Sequence, residues 1–220
     1  MERLMFDMET ARWESEIEQY DADHLRLRQV AMILQSLSVE SVFDIGCGHG
    51  HLGTLLPGIG YSGCDMIDGA GASFSFTRCN VNRDRLPEQI GDAPAVSCSG
   101  LLEYVDDLPK FFLELRSRMR AGTWLVVTYY NMNHLSRIFD LAVGRTFGVH
   151  RGWRGFYSTR ALGRMLDVSG FRLEKRYVTR FGLEEPPLSD TVTEHLRLPR
   201  YVPGGYLLAH QIIYVARAVG

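Results

Sequence analysis

A chain of 220 residues, 45% of them hydrophobic, is long enough to bury a sizeable core and fits one domain better than two small ones. Its 24 Lys and Arg against 26 Asp and Glu exclude a global field that would draw it to nucleic acid or an anionic membrane surface. Met1 to Thr10 is acidic and carries no long apolar run, so neither a signal peptide nor a membrane anchor is expected and a soluble cytoplasmic protein is.

In chain order, Trp13, Ile17 and Tyr20 mark a short amphipathic segment, either a lid over a ligand or a packing element. From Tyr20 to Leu37, Leu27, Val30, Ile33, Leu34 and Leu37 recur at helical spacing, so residues 1–37 form an N-terminal helical cap on a single domain spanning 1–220. Val42-Phe43-Asp44-Ile45 reads as a buried strand. Four glycines follow, at 46, 48, 50 and 53, before the apolar spacing of a helix resumes at Leu52, Leu55 and Leu56. Glycine is required where a backbone turns with positive φ or a ligand must approach without meeting a Cβ, and a helix start offers unpaired N–H groups.

Pro57-Gly58 ends that helix, and Tyr61 to Asp65 reads as a second strand. Phe74 to Cys79 alternates as a third, ending on Asn80-Val81-Asn82, and Ala95 to Cys98 is a fourth. Leu108, Phe111, Phe112, Leu115 and Met119 line a helix, with Asp106-Asp107 as its turn and cap. Trp124 to Tyr130, continuous, apolar and β-branched, suits a central strand covered on both faces.

Residues 131–157 loosen into a helix-like piece and a loop holding His150, Trp153 and Phe156, an insertion on the acceptor side of the sheet. Ser158 caps a helix stopped by Gly170, Phe171 to Phe181 is a sixth strand, and Leu207 to Ala216 is a final one, forming a hairpin with the sixth or returning by a crossover. Alternating strands and helices indicate an α/β three-layer sandwich. Strands ending on Asp44, Asp65 or Asn80 then share the edge where open α/β sheets bind ligands.

Arg116 to Arg120 and Arg172 to Arg176 read as solvated faces rather than phosphate sites. Cys47, Cys64, Cys79 and Cys98 lack the paired spacing of zinc ligands and read as reduced, partly buried thiols, so no metal site is expected.

The glycine loop reads in two registers. Gly48-x-Gly50-x-x-Gly53 matches a dinucleotide fingerprint with Asp65 as the ribose acid, which would make the chain an NAD(P)-binding oxidoreductase. Shifted by one glycine, it reads Asp44-x-Gly46-x-Gly48-x-Gly50, and here the chain resembles the class I S-adenosylmethionine-dependent methyltransferases. Cys98-Ser99-Gly100-Leu101-Leu102-Glu103-Tyr104-Val105 resembles the family's leucine-glutamate-histidine-valine box, with Tyr104 in place of the histidine, and Phe156-Tyr157-Ser158 through Gly170-Phe171 resembles its late segment.

The resemblance, from about Arg26 to Phe181, implies a Rossmann-like, seven-stranded, mostly parallel sheet of order 3-2-1-4-5-7-6 with only strand 7 antiparallel. It implies S-adenosyl-L-methionine as cofactor, held by Asp44, Gly46, Cys47, Gly48 and Gly50. Asp65, with Met66 beside it, would hold the ribose, and Asn80 and Val81 the adenine. Ser99 and Leu101 would offer further contacts. Arg26 either pairs with the methionine carboxylate, as in some relatives, or is a solvated arginine.

Methyl transfer to an O or N atom of a small-molecule or glycan acceptor follows, with His150 and His134 as candidate bases and Tyr104 as an orienting hydroxyl. The alternatives are the oxidoreductase and a noncatalytic binding protein on the same fold.

Overall fold

The computed structural model of the chain describes residues 25–67, 73–131, 134, 138–139, 142–143, 154–155, 157–179, 188–189 and 211–220. The segment around Trp13 to Tyr20, the residues His150, Trp153 and Phe156, and the Glu185-Pro186-Pro187 connection lie outside them.

Strands β1 (Ser41–Ile45), β2 (Gly60–Asp65), β3 (Ser75–Arg78), β4 (Ala95–Cys98), β5 (Trp124–Tyr130), β6 (Phe171–Thr179), β7 (Leu188–Ser189) and β8 (Gln211–Ala218) form one sheet among the described residues. Its order is β3-β2-β1-β4-β5-β8-β6-β7. β1 to β5 pair in parallel, and β8 inserts antiparallel between β5 and β6. With β8 counted as the seventh strand, this is the implied 3-2-1-4-5-7-6 topology. The addition is the two-residue β7, antiparallel on the outer side of β6.

Strand alternation sorts side chains onto two faces. Phe43, Ile45, Val96, Cys98, Leu125 and Val127 face α3 (Leu108–Arg118) and α4 (Thr159–Val168), meeting Phe111, Phe112, Leu115, Leu162 and Leu166. Val42, Ala95, Val126, Ile213 and Val215 face α1 (Leu25–Ser36), meeting Leu27, Val30, Ala31, Ile33 and Leu34. Leu125, Val126 and Val127 are each fully buried, as expected of a strand covered on both sides. Each such side chain contributes about 1.5–3 kcal/mol.

Residues that end the apolar runs set the element boundaries. Asp107 accepts from the Lys110 N–H and caps α3, and Ser158 accepts from the Ala161 N–H and caps α4. The helix after the glycine loop is one turn, α2 (His51–Thr54), where the leucine spacing suggests more. Pro57 and Gly58 follow too soon for a second turn. The first arginine run is structural: Arg116 donates to the carbonyls of Gly170, Met119 and Val219, while Arg118 pairs with Glu88 and Arg120 with Asp92; in the second, the exposed Arg172 pairs with Glu174. All four cysteines are free and buried.

Candidate functional site

The same alternation that builds the core also builds a polar stripe. Asp44 on β1 lies two residues after Val42, Ser97 on β4 two after Ala95, and Thr128 on β5 two after Val126, so all three fall on the α1 face at its carboxyl edge. On β2, Tyr61, Gly63 and Asp65 share that face. Arg26, on the first turn of α1, brings its guanidinium to Gly100, where a Cβ would stand 2.7 Å from Cζ.

Gly46, Gly48 and Gly50 have φ of +76°, +53° and +78°, the left-handed region that costs an L side chain about 1–2 kcal/mol. Leu101 packs over Gly46, 3.1 Å from where a Cβ would lie, and the Phe74 ring lies over Gly50. Gly53 has another reason. A Cβ there would come within 2.6 Å of the Tyr61 ring, so Gly53 is a packing position and the dinucleotide register loses its third glycine.

Asp65 ties the loop down, with Oδ2 accepting from the Gly48 N–H at 2.8 Å and Oδ1 from the Ile67 N–H at 3.2 Å. Burial raises its pKa, and those N–H groups oppose the rise. Asp44 is 3% exposed. Its Oδ2 accepts from the Tyr61 hydroxyl at 2.7 Å, and its Oδ1 has no hydrogen-bond partner. Burial pushes its pKa up to about 7, against the lowering influence of Tyr61, Ser97 and Arg26. Ser97 is near enough to favour the ionised carboxylate, yet its Oγ makes no hydrogen bond of normal geometry. Cys47, at the bend of the loop, is buried, and burial with the charges of Asp44 and Asp65 pushes its thiol far up, so it is no nucleophile.

Beyond β3, Asn80 is buried, and its amide oxygen accepts from the Asn82 N–H at 3.0 Å. The amide oxygen of a residue expected to hold adenine is thus engaged in a local turn, which Asp84 closes from the other side by accepting the Asn80 N–H. Val81 packs on the core, and Met66 offers its carbonyl to Arg78. Ser99 is buried with its hydroxyl unpartnered, and the next N–H, of Gly100, donates to Thr128 Oγ1 at 2.9 Å.

On the acceptor side, Tyr104 ends a 3₁₀ turn, half-buried, its carbonyl accepting from Asn82. His134 is buried three residues after Asn131, whose carbonyl accepts its N–H. His150 lies outside the described residues. Glu103, Asp106 and Tyr129 hold the return of the insertion. Glu103 is buried, its Oε1 accepting from the Tyr130 N–H and its carbonyl from the Arg154 N–H, both at 2.8 Å. Arg154 pairs with Asp106 at 3.1 Å. The buried Tyr129 hydroxyl donates to the Gly155 carbonyl at 3.0 Å and accepts from the Tyr157 N–H at 2.9 Å.

Tyr61, Ser97, Thr128 and Tyr129 are the residues that sequence reading missed. For Tyr61 a signal was present, since its spacing of four from Asp65 on a strand places both on one face. Among the described residues no group of three His, Cys, Asp or Glu side chains is arranged to hold a metal, and no helix is long and apolar enough to cross a membrane.

A family model described as a methyltransferase domain matches residues 14–176. The chain belongs to the S-adenosylmethionine-dependent methyltransferase family. No curated protein matches it in sequence. Its fold is similar to that of a Thermotoga maritima protein described as a possible histamine N-methyltransferase (TM-score 0.64, 16% identity, 95% of this chain and 99% of that one). It is also similar to the Synechocystis magnesium protoporphyrin IX methyltransferase with bound S-adenosylhomocysteine (TM-score 0.59, 16% identity, 87% and 81%). Human N-acetylserotonin methyltransferase in complex with S-adenosylmethionine shares the fold over 89% of this chain and 52% of that one (TM-score 0.53, 16% identity). Membership of the family sets the oxidoreductase reading of the glycine loop aside.

Proposed function

We propose that the chain transfers a methyl group from S-adenosylmethionine to an O or N atom of a small-molecule or glycan acceptor, with the donor held at the carboxyl edge of β1, β2 and β4. The observation that carries this reading is the buried, unpartnered Oδ1 of Asp44 beneath a loop of three positive-φ glycines. A bare carboxylate oxygen is costly to bury unless a donor group meets it, and the donor's ammonium is such a group. Gly46, Gly48 and Gly50 keep the loop free of Cβ atoms, and Cys47 bends it. Asp65, with lone pairs beyond those that fix the loop, suits the ribose hydroxyls. Met66, Asn80, Val81, Ser99 and Leu101 border the adenine and methionine portions, and Arg26 suits the carboxylate.

When bound, S-adenosylmethionine supplies a methyl group on a sulfonium that an aligned lone pair displaces. The chain's own task is positioning: holding reacting atoms about 3–3.5 Å apart in line supplies much of the acceleration. Tyr129 and Glu103 fix the segment from Arg154 to Tyr157 against the end of β5, as an acceptor wall requires. An acceptor with a raised pKa also needs a base, for which His134 and His150 are the candidates and Tyr104 the orienting hydroxyl.

The small-molecule class is supported by the near-balanced charge of the sequence, 24 Lys and Arg against 26 Asp and Glu, and by the small acceptors named for fold neighbours. The test is methyl-labelled donor with metabolite, glycan, RNA and protein fractions. Label in the metabolite or glycan fraction is expected, and label in RNA or protein alone would overturn the acceptor class.

A further inference from the structure

Asp44 has two oxygens in unequal surroundings. Oδ2 is taken by the Tyr61 hydroxyl at 2.7 Å, and Oδ1 is buried without a partner. The Tyr61 ring that carries this hydroxyl is itself locked. It packs against Gly53 on one side, and the Phe74 ring meets it edge-on at 5.0 Å between centroids. The hydroxyl therefore approaches Asp44 from one side.

We propose that Tyr61 is a positioning residue that fixes Asp44 and leaves Oδ1, which no protein donor meets, to the ammonium of the methyl donor, and that filling the site expels a proton from Asp44 to solvent. This rests on the donor site proposed above and adds to it a residue and a linkage. Only the O–H bond of the carboxyl breaks. The proton passes to buffer, and the carboxylate left behind pairs with the ammonium.

The groups around Asp44 are few and their effects have known signs. From β2, Tyr61 donates to it and Asp65 opposes its charge; from α1, Arg26 favours its charge; from β4, Ser97 favours it as well. Cys47 in the loop and Cys98 on β4 each feel the Asp44 charge, and burial keeps both as thiols. His49 acts on Asp65. With a folded pKa of about 7, Asp44 keeps a substantial protonated fraction at neutral pH in the free protein. An ammonium against Oδ1 favours the ionised form, so binding and deprotonation are coupled.

The test is calorimetry with S-adenosylhomocysteine at pH 6 and pH 7, in phosphate and in imidazole, whose ionisation enthalpies differ. About one proton should be released at pH 6 and about half a proton at pH 7, and Kd should rise up to about tenfold per pH unit as pH falls below 7. The ligand's ammonium is already charged at pH 6, so it is not the source. 5′-Methylthioadenosine, which keeps the adenosine but lacks the ammonium and carboxylate, should bind with no release. Asp44→Asn should abolish the release. Tyr61→Phe, which removes a hydrogen bond that favours the carboxylate, should move the pH midpoint up, and 3-fluorotyrosine at position 61, a stronger donor, should move it down.

Release of the same size with 5′-methylthioadenosine would place the source at a group other than Asp44 and overturn the inference. So would S-adenosylhomocysteine binding without release at pH 6, or a midpoint that neither change at position 61 moves. In those cases the donor site stands. Absence of S-adenosylhomocysteine binding at every pH would instead remove the site and the inference together.

Discussion

Gly50→Ala isolates what the glycine loop costs to build. At φ +78° an alanine pays about 1–2 kcal/mol for the left-handed backbone. Its Cβ would lie 2.2 Å from Phe74 Cε1, where carbon atoms prefer about 3.5–4.0 Å. The ring must therefore move, out of edge contacts with both Tyr61 and Phe76, and overpacking of this kind adds about 1–3 kcal/mol. The sum, about 2–5 kcal/mol, lowers Tm by about 2–4 °C per kcal/mol in a chain of this size. Thermal unfolding followed by circular dichroism measures it. In a Phe74→Ala background the clash is gone and Gly50→Ala should cost only the backbone share, a coupling of about 1–3 kcal/mol. An equal cost in both backgrounds would refute the claim that the ring is what excludes a side chain at position 50.

Tyr129→Phe removes both hydrogen bonds to the half-buried Gly155 and Tyr157, so stability should fall by about 0.5–1.5 kcal/mol per bond, and KM for the acceptor should rise while S-adenosylhomocysteine affinity, read by calorimetry, stays the same. The ligand-free protein should lose stability as pH rises from 4 to 7, because folded Asp44 keeps until about pH 7 a proton that the unfolded chain gives up near 3.8. That difference is on the order of 4 kcal/mol, Asp65 works in the same direction, and urea titrations across that window should be flatter for Asp44→Asn. Alkylation at pH 8 followed by mass spectrometry should leave Cys47, Cys64 and Cys98 unmodified in the native protein, since burial hides all three thiols and raises the pKa of Cys47 and Cys98, while the neighbouring Cys79 thiol and then burial raise that of Cys64.

Strands were legible where a run of apolar residues met an unambiguous stop. β4 and β5 fall on the expected residues because Ser99-Gly100 and Gly122 bound them. The short β7 was not legible, because two residues carry no period. The helix after the glycine loop read too long, because Leu52, Leu55 and Leu56 keep a helical spacing while the last two pack from a turn. At the site, Asp44, the alternating glycines and Asp65 stood out because their residue types have few other uses at a strand end. Tyr61 and Tyr129 did not, since an aromatic residue in a strand reads as core until its hydroxyl's partner is known. Asn80 shows the converse. Its position was legible, but its amide oxygen serves a turn with Asn82 that spacing does not reveal.

The donor site is tested most directly by S-adenosylhomocysteine binding to the wild-type chain and to Gly48→Val, with NADH as the comparison ligand and circular dichroism to confirm that the variant is folded. Gly48 sits at φ +53° with its N–H held by Asp65 at 2.8 Å, so a valine there both strains the loop and fills it. The expected result is binding of S-adenosylhomocysteine and not NADH by the wild type, with binding lost in a folded variant. Unchanged affinity in Gly48→Val, or binding of NADH alone, would contradict the assignment.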